Sequence, residues 1–403
     1  MRSAPLASFL IFCLLGHAAQ AQEQTKAQGH YMFAWTGDAE GQGEDFLAII
    51  DADPESATYG KLMTTLGTDQ RTMRVHHTEY VMPESGMLFA NDHDAGRTFI
   101  FDVRDALHPK IATSFTDMDG YMHPHSYLRL PNGHVLATFQ HSHRSMNDER
   151  LGGSGGLVEI DDQAKVIRSA SSADPAFPDA LLEPYSLVVL PEIDRVLVTN
   201  SSMHNTNVFS GVTYQIFRLS DLKLLKTAYL DMGANHYGHM SPEEPRLGRD
   251  GAVYVQTLGC GIERITNIDK DEPSSKLVYT FPGSYCGVPT IVGHYLIQSV
   301  PLLHGVVALD ITNGTKPVEV SRLKLEDNFS PHWTSWDAKT QRLVVTGMAT
   351  RIFMVKLDQA TGALTFDDDF RGADGKTGFS FAEREWPQGW KGTGVPHGAV
   401  FSR

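Results

Sequence analysis

Residues 123–139, HPHSYLRLPNGHVLATF, contain a pattern of strands and turn that predicts the fold of the chain. A histidine-containing segment leads into a first apolar stretch, Asn132 and Gly133 supply a tight turn, and a second apolar run begins at Val135. Two short apolar runs on either side of an Asn-Gly turn predict a pair of antiparallel β-strands. The stretch therefore predicts a β-hairpin that carries histidine at its start.

The same pattern returns along the chain. Residues 75–90, VHHTEYVMPESGMLFA, and residues 330–345, SPHWTSWDAKTQRLVV, each place histidine ahead of a turn and a second strand. Units of this type begin at seven places, with 44 to 65 residues between successive starts. The seven starting residues are His77, His125, Tyr185, His239, Val288, His332 and His397. This spacing fits one four-stranded propeller blade per unit.

A second unit, an apolar strand that ends at Asp or Asn, lies between these hairpins. It occurs at residues 46–51, 98–102, 157–161, 214–221, 262–267, 306–310 and 352–358. Each blade is then an inner hairpin followed by an outer hairpin. After His397 only one short strand remains, so its partner is the N-terminal strand at residues 31–36. The sequence predicts an all-β, seven-bladed β-propeller closed by pairing of the N- and C-terminal strands, with a pair of β-sandwiches as the alternative.

The first 21 residues predict a signal peptide. Arg2 supplies a positive start, residues 6–15 an apolar core and residues 19–21 an Ala-Gln-Ala cleavage site. We expect residues 22–403 to form a single propeller domain in the periplasm or outside the cell. The apolar core is shorter than the roughly 20 residues of a spanning helix, so no membrane span is expected, although an uncleaved anchor is the alternative.

Charge and cysteine content exclude several classes of function. The formal net charge is −14 and becomes −15 when Arg2 is removed with the signal peptide. Nucleic acids and anionic membrane surfaces both attract clustered Lys and Arg, so neither is an expected partner. Without Cys13, two cysteines remain, which excludes a disulfide-rich scaffold.

Histidine at five of the seven inner-strand starts predicts a metal site. In a closed propeller the innermost strands surround the axis, so residues at equivalent starts face one another. The predicted ligands are His77, His125, His239, His332 and His397, with His76 and His123 beside them. A set of imidazoles suits copper, iron or zinc better than calcium or magnesium. The alternative is a set of hydrogen-bonded channel residues.

Two further residues are catalytic candidates. Glu79 follows an inner-strand start, where a carboxylate orients a ligand imidazole or moves a proton, ordinary hydrogen bonding being the alternative. Cys286 lies at a strand start whose counterparts are histidines, so it is a candidate thiolate ligand or redox-active thiol. A disulfide between Cys260 and Cys286, joining adjacent blades, is the other interpretation.

Several short motifs together resemble the selenium-binding protein and methanethiol oxidase family. They are the His76-His77 pair, Pro124-His125, Leu303-His304-Gly305, Pro396-His397, residues 35–38 (WTGD), residues 45–48 (DFLA) and residues 51–60 (DADPESATYG). The paired-cysteine motif that typically follows the double histidine in this family is absent, and residues 79–83 (EYVMP) stand there instead.

The resemblance implies a seven-bladed propeller and a periplasmic copper enzyme that converts methanethiol, dioxygen and water to formaldehyde, hydrogen sulfide and hydrogen peroxide. It supports His76, His77, His125 and His397 as metal-site candidates. A small thiol and dioxygen are the implied partners, and iron is the alternative metal. The competing functions are a non-catalytic metal-binding or sensor propeller and an iron-dependent oxygenase of another substrate.

Overall fold

Four-stranded antiparallel sheets follow one another along the chain in a computed structural model that describes residue 1 and residues 29–92, 94–142, 154–203, 209–231 and 240–403. Most of the predicted signal peptide and the predicted ligand His239 lie outside the described residues.

The strands of the first half of the chain are β1 (Tyr31–Asp38), β2 (Phe46–Asp51), β3 (Leu62–Gly67), β4 (Val75–Thr78), β5 (Met87–Asp92), β6 (Arg97–Asp102), β7 (Lys110–Phe115), β8 (Tyr121–Arg129), β9 (Val135–Ser142), β10 (Gly156–Ile160), β11 (Val166–Ser171), β12 (Pro184–Leu190), β13 (Arg195–Asn200), β14 (Thr213–Arg218) and β15 (Leu224–Tyr229).

The remaining strands are β16 (Pro242–Leu247), β17 (Val253–Thr257), β18 (Gly261–Thr266), β19 (Ser274–Thr280), β20 (Thr290–Val292), β21 (Tyr295–Val300), β22 (Gly305–Asp310), β23 (Val318–Lys324), β24 (Pro331–Asp337), β25 (Arg342–Gly347), β26 (Arg351–Leu357), β27 (Leu364–Phe366), β28 (Phe379–Ser380), β29 (Arg384–Glu385), β30 (Lys391–Gly392) and β31 (Gly394–Phe401).

Seven blades form the ring. Six of them use four consecutive strands, from β4–β7 to β24–β27, and β28 adds a short extra strand beside β26. The seventh sheet has the order β3-β2-β1-β31, so the last strand of the chain is its innermost strand. Met32 of β1 lies opposite Phe401 of β31 in this antiparallel pair. The predicted seven-bladed propeller and its closure by the two terminal strands are confirmed.

The innermost strands are irregular where they begin. The register of β4 against β5 shifts between Val75 and Thr78, and that of β8 against β9 shifts between Pro124 and Tyr127. Similar shifts occur near the starts of β12, β16 and β24 and in the pairing of β31. A bulge changes the direction of the side chains beside it, so these starts do not follow the simple alternation of a regular strand.

The apolar core lies between the faces of neighbouring blades. Trp35 of β1 packs against Phe99 and Phe101 of the next blade, with ring centroids 5.8 and 5.4 Å away. Trp333 of β24 is fully buried, and its indole Nε1 donates a hydrogen bond to the Ala399 carbonyl of β31 at 2.9 Å. Buried apolar surface of this kind stabilises the fold by about 25 cal/mol per Å². It holds the inner strands rigidly around the axis.

A disulfide joins Cys260 to Cys286. Cys260 lies between β17 and β18 and Cys286 precedes β20, so the bond links two adjacent blades. Of the two interpretations open from sequence, the structure has the disulfide. As half of a disulfide, Cys286 carries no thiolate, so the prediction of a catalytic thiol at Cys286 does not hold in this structure.

None of the helical turns in the described part of the chain approaches the length and apolarity of a membrane-spanning helix.

Candidate metal centre

Inner strands from four blades that are neighbours around the ring bring five histidines together at the axis. β4 supplies His76 and His77, β8 supplies His125, β24 supplies His332 and β31 supplies His397. His77 and His125 are 0% and 1% exposed, and His76 and His397 are 4% and 6% exposed. These five residues, the histidine cluster, are all among the predicted ligands.

The bulge at the start of β4 explains how two successive residues enter the same cluster. In a regular strand, His76 and His77 would point to opposite faces. Instead their rings stack, with centroids 4.0 Å apart, inside the segment where the register of β4 shifts. The irregular backbone therefore places both imidazoles on the axis.

The spacing within the histidine cluster suits a shared ion. The Nε2 atoms of His76 and His125 are 2.9 Å apart. One ligand nitrogen each from His76, His77 and His397 lies within 4.8 Å of the other two, and this is the one such group among the described residues. Two nitrogens that bind one ion lie at most about 4.2 Å apart, because each bond is about 2.0 to 2.1 Å long. Small side-chain rotations would bring the three nitrogens to that spacing.

Burial favours the neutral form of two of these imidazoles, those of His77 and His332. It lowers the pKa of His77 well below its usual value, with a further lowering from His125 and His397, and it lowers the pKa of His332 to about 4. The Nε2 atoms of His77 and His332 are buried and have no hydrogen-bond partner among the described residues. A buried nitrogen without a partner is unfavourable, and a bound metal ion would remove that cost. The donor set therefore fits a metal ion that prefers neutral imidazole.

His125 is held in a defined orientation. Its Nδ1 lies 2.7 Å from the Tyr185 carbonyl oxygen. A carbonyl only accepts hydrogen bonds, so Nδ1 is the donor and Nε2 keeps its lone pair facing His76. Hydrogen bonds of this type fix the tautomer and direction of metal-binding histidines.

Glu244 is the carboxylate beside the histidine cluster, and the sequence analysis missed it. It is fully buried, and its Oε1 lies 3.7 Å from Nδ1 of His77. Its Oε2 accepts hydrogen bonds from the Tyr80 hydroxyl at 2.5 Å, Ser186 Oγ at 2.9 Å and Arg246 Nη1 at 3.2 Å. These contacts fix the carboxylate next to His77.

Glu79, the carboxylate predicted to be catalytic, lies in a structural ion pair. Its Oε1 accepts a hydrogen bond from Arg129 Nε at 2.7 Å, and its Oε2 accepts one from the Phe89 backbone N–H at 3.0 Å. Burial raises the pKa of Glu79, while Arg129 opposes that rise. The structure therefore ties Glu79 to Arg129 of the neighbouring blade, and a catalytic role for Glu79 stays a prediction.

His123 lies in a second polar group, outside the histidine cluster. Its ring packs edge-on against His141 with centroids 5.3 Å apart, and Nδ1 of His141 lies 3.9 Å from Glu183 Oε1. Burial raises the pKa of Glu183 to about 7 and lowers that of His141 to about 4. The structure does not bring His123 into the cluster predicted from sequence, because His123 adopts a left-handed backbone conformation with φ of 58°.

Gly398 allows the ring to close at the histidine cluster. A Cβ atom at this position would lie 2.5 Å from the Thr78 backbone nitrogen and 2.9 Å from the His76 carbonyl oxygen. Only glycine permits β31 to approach β4 so closely, and this approach places His397 beside His76, with ring centroids 4.4 Å apart.

A cavity of about 430 Å³ leads to the histidine cluster from the ends at which the inner strands begin. His76, His332 and His397 line it. Much of the remaining wall is apolar or aromatic and includes Met73, Leu258, Met203, Tyr185, Tyr285, Met348 and Val395. A small molecule in this cavity would lie directly against the imidazoles.

Comparison with known proteins gives partial sequence matches and a full-length structural match. A methanethiol oxidase from Hyphomicrobium sp. is 37% identical over 109 residues, which are 26% of this chain and 25% of that protein. A methanethiol oxidase from Ruegeria pomeroyi is 29% identical over 189 residues, which are 43% of this chain and 42% of that protein. The matches thus span less than half of the length of these two relatives. No protein-family model matches the chain.

A solved structure described as a hypothetical selenium-binding protein from Sulfolobus tokodaii shares the fold. It superimposes with a TM-score of 0.70 at 14% sequence identity, over 94% of each chain.

The fold and the site define a β-propeller whose inner strands carry three histidines, His76, His77 and His397, able to hold a metal ion. Within that class, the two partial sequence matches support a distant relationship to methanethiol oxidases, and the selenium-binding protein of Sulfolobus tokodaii shows the shared fold. The resemblance found in the sequence motifs is confirmed at that level.

Proposed function

We propose that this protein is a copper-dependent oxidase of a small thiol, which converts methanethiol, dioxygen and water to formaldehyde, hydrogen sulfide and hydrogen peroxide. The observation that carries the proposal is the cluster of buried histidines, three of which line a cavity. The name shared by the two relatives, methanethiol oxidase, supports the substrate and the type of reaction, whereas copper and the products come from the resemblance of the sequence motifs.

The cavity favours a small, uncharged molecule. The charged or acidic side chains along its described wall are Arg74 and Glu243. Burial raises the pKa of Glu243 well above its usual value, which favours its neutral form. A short alkyl thiol loses little hydration here, whereas the ammonium group of a zwitterionic thiol would meet no carboxylate other than Glu243 along the described wall. Glu243 is also the carboxyl group placed to exchange a proton with a bound thiol.

His76, His77 and His397 would hold the copper ion, with His125 and His332 beside them. Copper, when bound, supplies a one-electron redox change and a soft ligand site for sulfur. Burial lowers the pKa of His77 and of His332. The Tyr185 carbonyl orients His125, and burial excludes bulk water from most of the cluster.

We also propose export to the periplasm and cleavage after Ala21, on the basis of the signal-peptide pattern at residues 1–21. Expression in a Gram-negative host followed by N-terminal sequencing of the periplasmic fraction tests this. The expected first residue is Gln22, and an intact Met1 in a cytoplasmic protein would contradict the proposal.

Elemental analysis of protein purified without a metal-binding tag is the first test of the function, followed by oxygen uptake with methanethiol. Near-stoichiometric copper and thiol-dependent oxygen consumption are expected. Iron in place of copper would favour an oxygenase of another substrate. A metal-loaded protein that consumes no oxygen with any small thiol would favour a binding or sensor module.

Variants separate the metal site from the fold. His77→Ala and His397→Ala are expected to lose metal and activity together while thermal unfolding stays cooperative. His108→Ala is the matched control, because His108 is exposed and pairs with Asp105 at the surface. Activity retained in both cluster variants would contradict the proposed site.

A further inference from the structure

Trp333 and Tyr80 form a stacked aromatic pair next to the histidine cluster. The His77 and Trp333 ring centroids are 5.0 Å apart. The Trp333 and Tyr80 rings are 4.9 Å apart and nearly parallel, with planes 9° apart. His77, Trp333 and Tyr80 thus make a continuous line of aromatic contacts that begins at the cluster.

The hydroxyl of Tyr80 is hydrogen-bonded to a carboxylate. It donates a hydrogen bond of 2.5 Å to Glu244 Oε2, and the Arg246 guanidinium lies 4.0 Å above the tyrosine ring. Oxidation of a tyrosine by one electron makes its hydroxyl strongly acidic. The reaction is therefore accessible only where a hydrogen-bonded acceptor takes the proton at the same time. Glu244 is such an acceptor, and Arg246 holds the carboxylate in place at 3.2 Å.

The far end of this aromatic line reaches a second cavity. This cavity has a volume of about 500 Å³ and is lined by Tyr80, Arg246 and Ser335, among others. It lies at the ends of the inner strands, whereas the cavity that leads to the histidines lies at their beginnings. Tyr80 therefore stands between the histidine cluster and a separate opening of the molecule.

We propose that Tyr80, by way of Trp333, supplies one of the two electrons that dioxygen takes up at the histidine cluster. This inference rests on the proposed function. Conversion of methanethiol to formaldehyde and hydrogen sulfide releases two electrons, and reduction of dioxygen to hydrogen peroxide consumes two. A single copper ion changes its charge by one, so a second one-electron carrier in the protein allows both electrons of the thiol to be held before dioxygen takes them.

The step balances as follows. Tyr80 loses one electron and its hydroxyl proton, which leaves a neutral tyrosyl radical. The electron passes through Trp333 to the centre, and the proton passes to Glu244 Oε2. The radical is later restored by one electron from the thiol and the proton stored on Glu244. Dioxygen is the terminal oxidant.

Tyr59 provides a matched control elsewhere in the fold. Its hydroxyl donates a hydrogen bond of 2.9 Å to the Asp367 carboxylate, and Arg342 lies 5.9 Å from the ring centroid. Its aromatic neighbour is Phe370, at 5.3 Å, and not a tryptophan in contact with the histidine cluster. Tyr59 thus has a carboxylate and an arginine beside it, like Tyr80, but no aromatic contacts that lead to the histidine cluster.

Electron paramagnetic resonance tests the inference in two forms of the protein. In the metal-free protein, oxidation by hexachloroiridate is expected to give a tyrosyl signal that survives Tyr59→Phe and is lost in Tyr80→Phe. In the copper-loaded protein, Tyr80→Phe is expected to keep its copper and its KM within about twofold and to lower kcat at least tenfold. A signal unchanged by Tyr80→Phe, or wild-type kcat in that variant, would overturn the inference.

Two further measurements keep the test decisive if Tyr80→Phe folds poorly. Glu244→Gln keeps the tyrosine but removes the proton acceptor, so it is expected to suppress the signal. Deuterated tyrosine in the unmodified protein is expected to narrow the signal, and an unchanged line shape would overturn the assignment. Absence of oxygen uptake in the unmodified copper-loaded protein would instead overturn the proposed function, and the donor role with it.

Discussion

His332 shows how burial of a single residue makes stability depend on pH. Burial lowers the pKa of His332 to about 4 in the folded protein, whereas a histidine in an unfolded chain titrates near 6.5. The unfolded state therefore binds more protons than the folded state between these two values. The contribution of His332 to the free energy of unfolding of the metal-free protein is fully present above about pH 6.5. It falls by about 3 kcal/mol as the pH is lowered toward 4.

Glu183 makes stability depend on pH in the opposite direction. Burial raises the pKa of Glu183 to about 7, so its contribution is present at low pH and is lost as the pH rises through that value. The comparison that isolates His332 is urea unfolding of the metal-free protein and of His332→Asn at pH 7 and pH 4.5. We expect the unmodified protein to lose more stability than the variant on acidification. Equal losses would contradict the assignment.

At the residue scale, the histidines of the site were predictable and its carboxylate was not. His76, His77, His125, His332 and His397 stand out because histidine recurs at the starts of repeated units. Glu244 belongs to no repeated pattern.

The choice between candidate carboxylates depends on backbone direction. The register of β16 shifts between Pro242 and Pro245, and this irregular segment contains both Glu243 and Glu244. Which of two adjacent carboxylates turns toward His77 depends on that bulge, and residue type alone does not reveal it. Glu79 lies against Arg129 of a different blade, and a contact between blades is not visible in the local sequence.

Among the elements, β31 depends on a glycine for its position. Gly398→Ala would place a Cβ against the Thr78 nitrogen and the His76 carbonyl, two backbone atoms that cannot move independently of β4. We expect a loss of stability of about 1 to 3 kcal/mol, as for other overpacked sites, together with weaker metal binding because His397 is displaced.

Gly372→Ala is the matched control for this substitution. A Cβ at Gly372 would approach its neighbours no closer than 3.4 Å, which is ordinary contact. Thermal unfolding and metal content of the two variants are the measurements. Full metal content in Gly398→Ala would show that the close approach of β31 and β4 is not required.

The disulfide is an element of stability and not of chemistry. It closes a segment with a sequence separation of 26, for which chain entropy predicts a stabilisation of about 3.5 kcal/mol. The double variant Cys260→Ala, Cys286→Ala is expected to unfold at lower urea concentration while it keeps its metal and its turnover number. Loss of turnover in a variant that stays folded and metal-loaded would restore a catalytic role for Cys286.

The sequence predicts where the strands lie, but it does not predict where they are irregular. The recurrent strands ending at Asp or Asn correspond to the third strand of each blade, from β2 in the closing blade to β26. Their apolar runs and turn residues are local signals. The bulges at the inner-strand starts arise from packing around the axis, which involves blades far apart in sequence. A local sequence pattern therefore does not predict them.

For the whole molecule, the histidine cluster draws on four blades, including the one that closes the ring. Any ion that binds the folded cluster and not the unfolded chain stabilises the complete ring, by about 2.7 kcal/mol when the free ion is at 100 times its dissociation constant. Removal of metal by a chelator is therefore expected to lower the melting temperature, and His77→Ala is expected to be insensitive to the chelator. Calorimetry measures both, and an equal shift in the variant would place the bound metal elsewhere.

The closing pair of β1 and β31 also sets the order of events during biosynthesis. β31 supplies both the innermost strand of the closing blade and His397, and it follows every other described strand along the chain. Until β31 has been made, the ring is open, one edge of β1 is unpaired and the histidine cluster lacks His397. A product that stops before residue 394 would therefore neither close the ring nor complete the cluster.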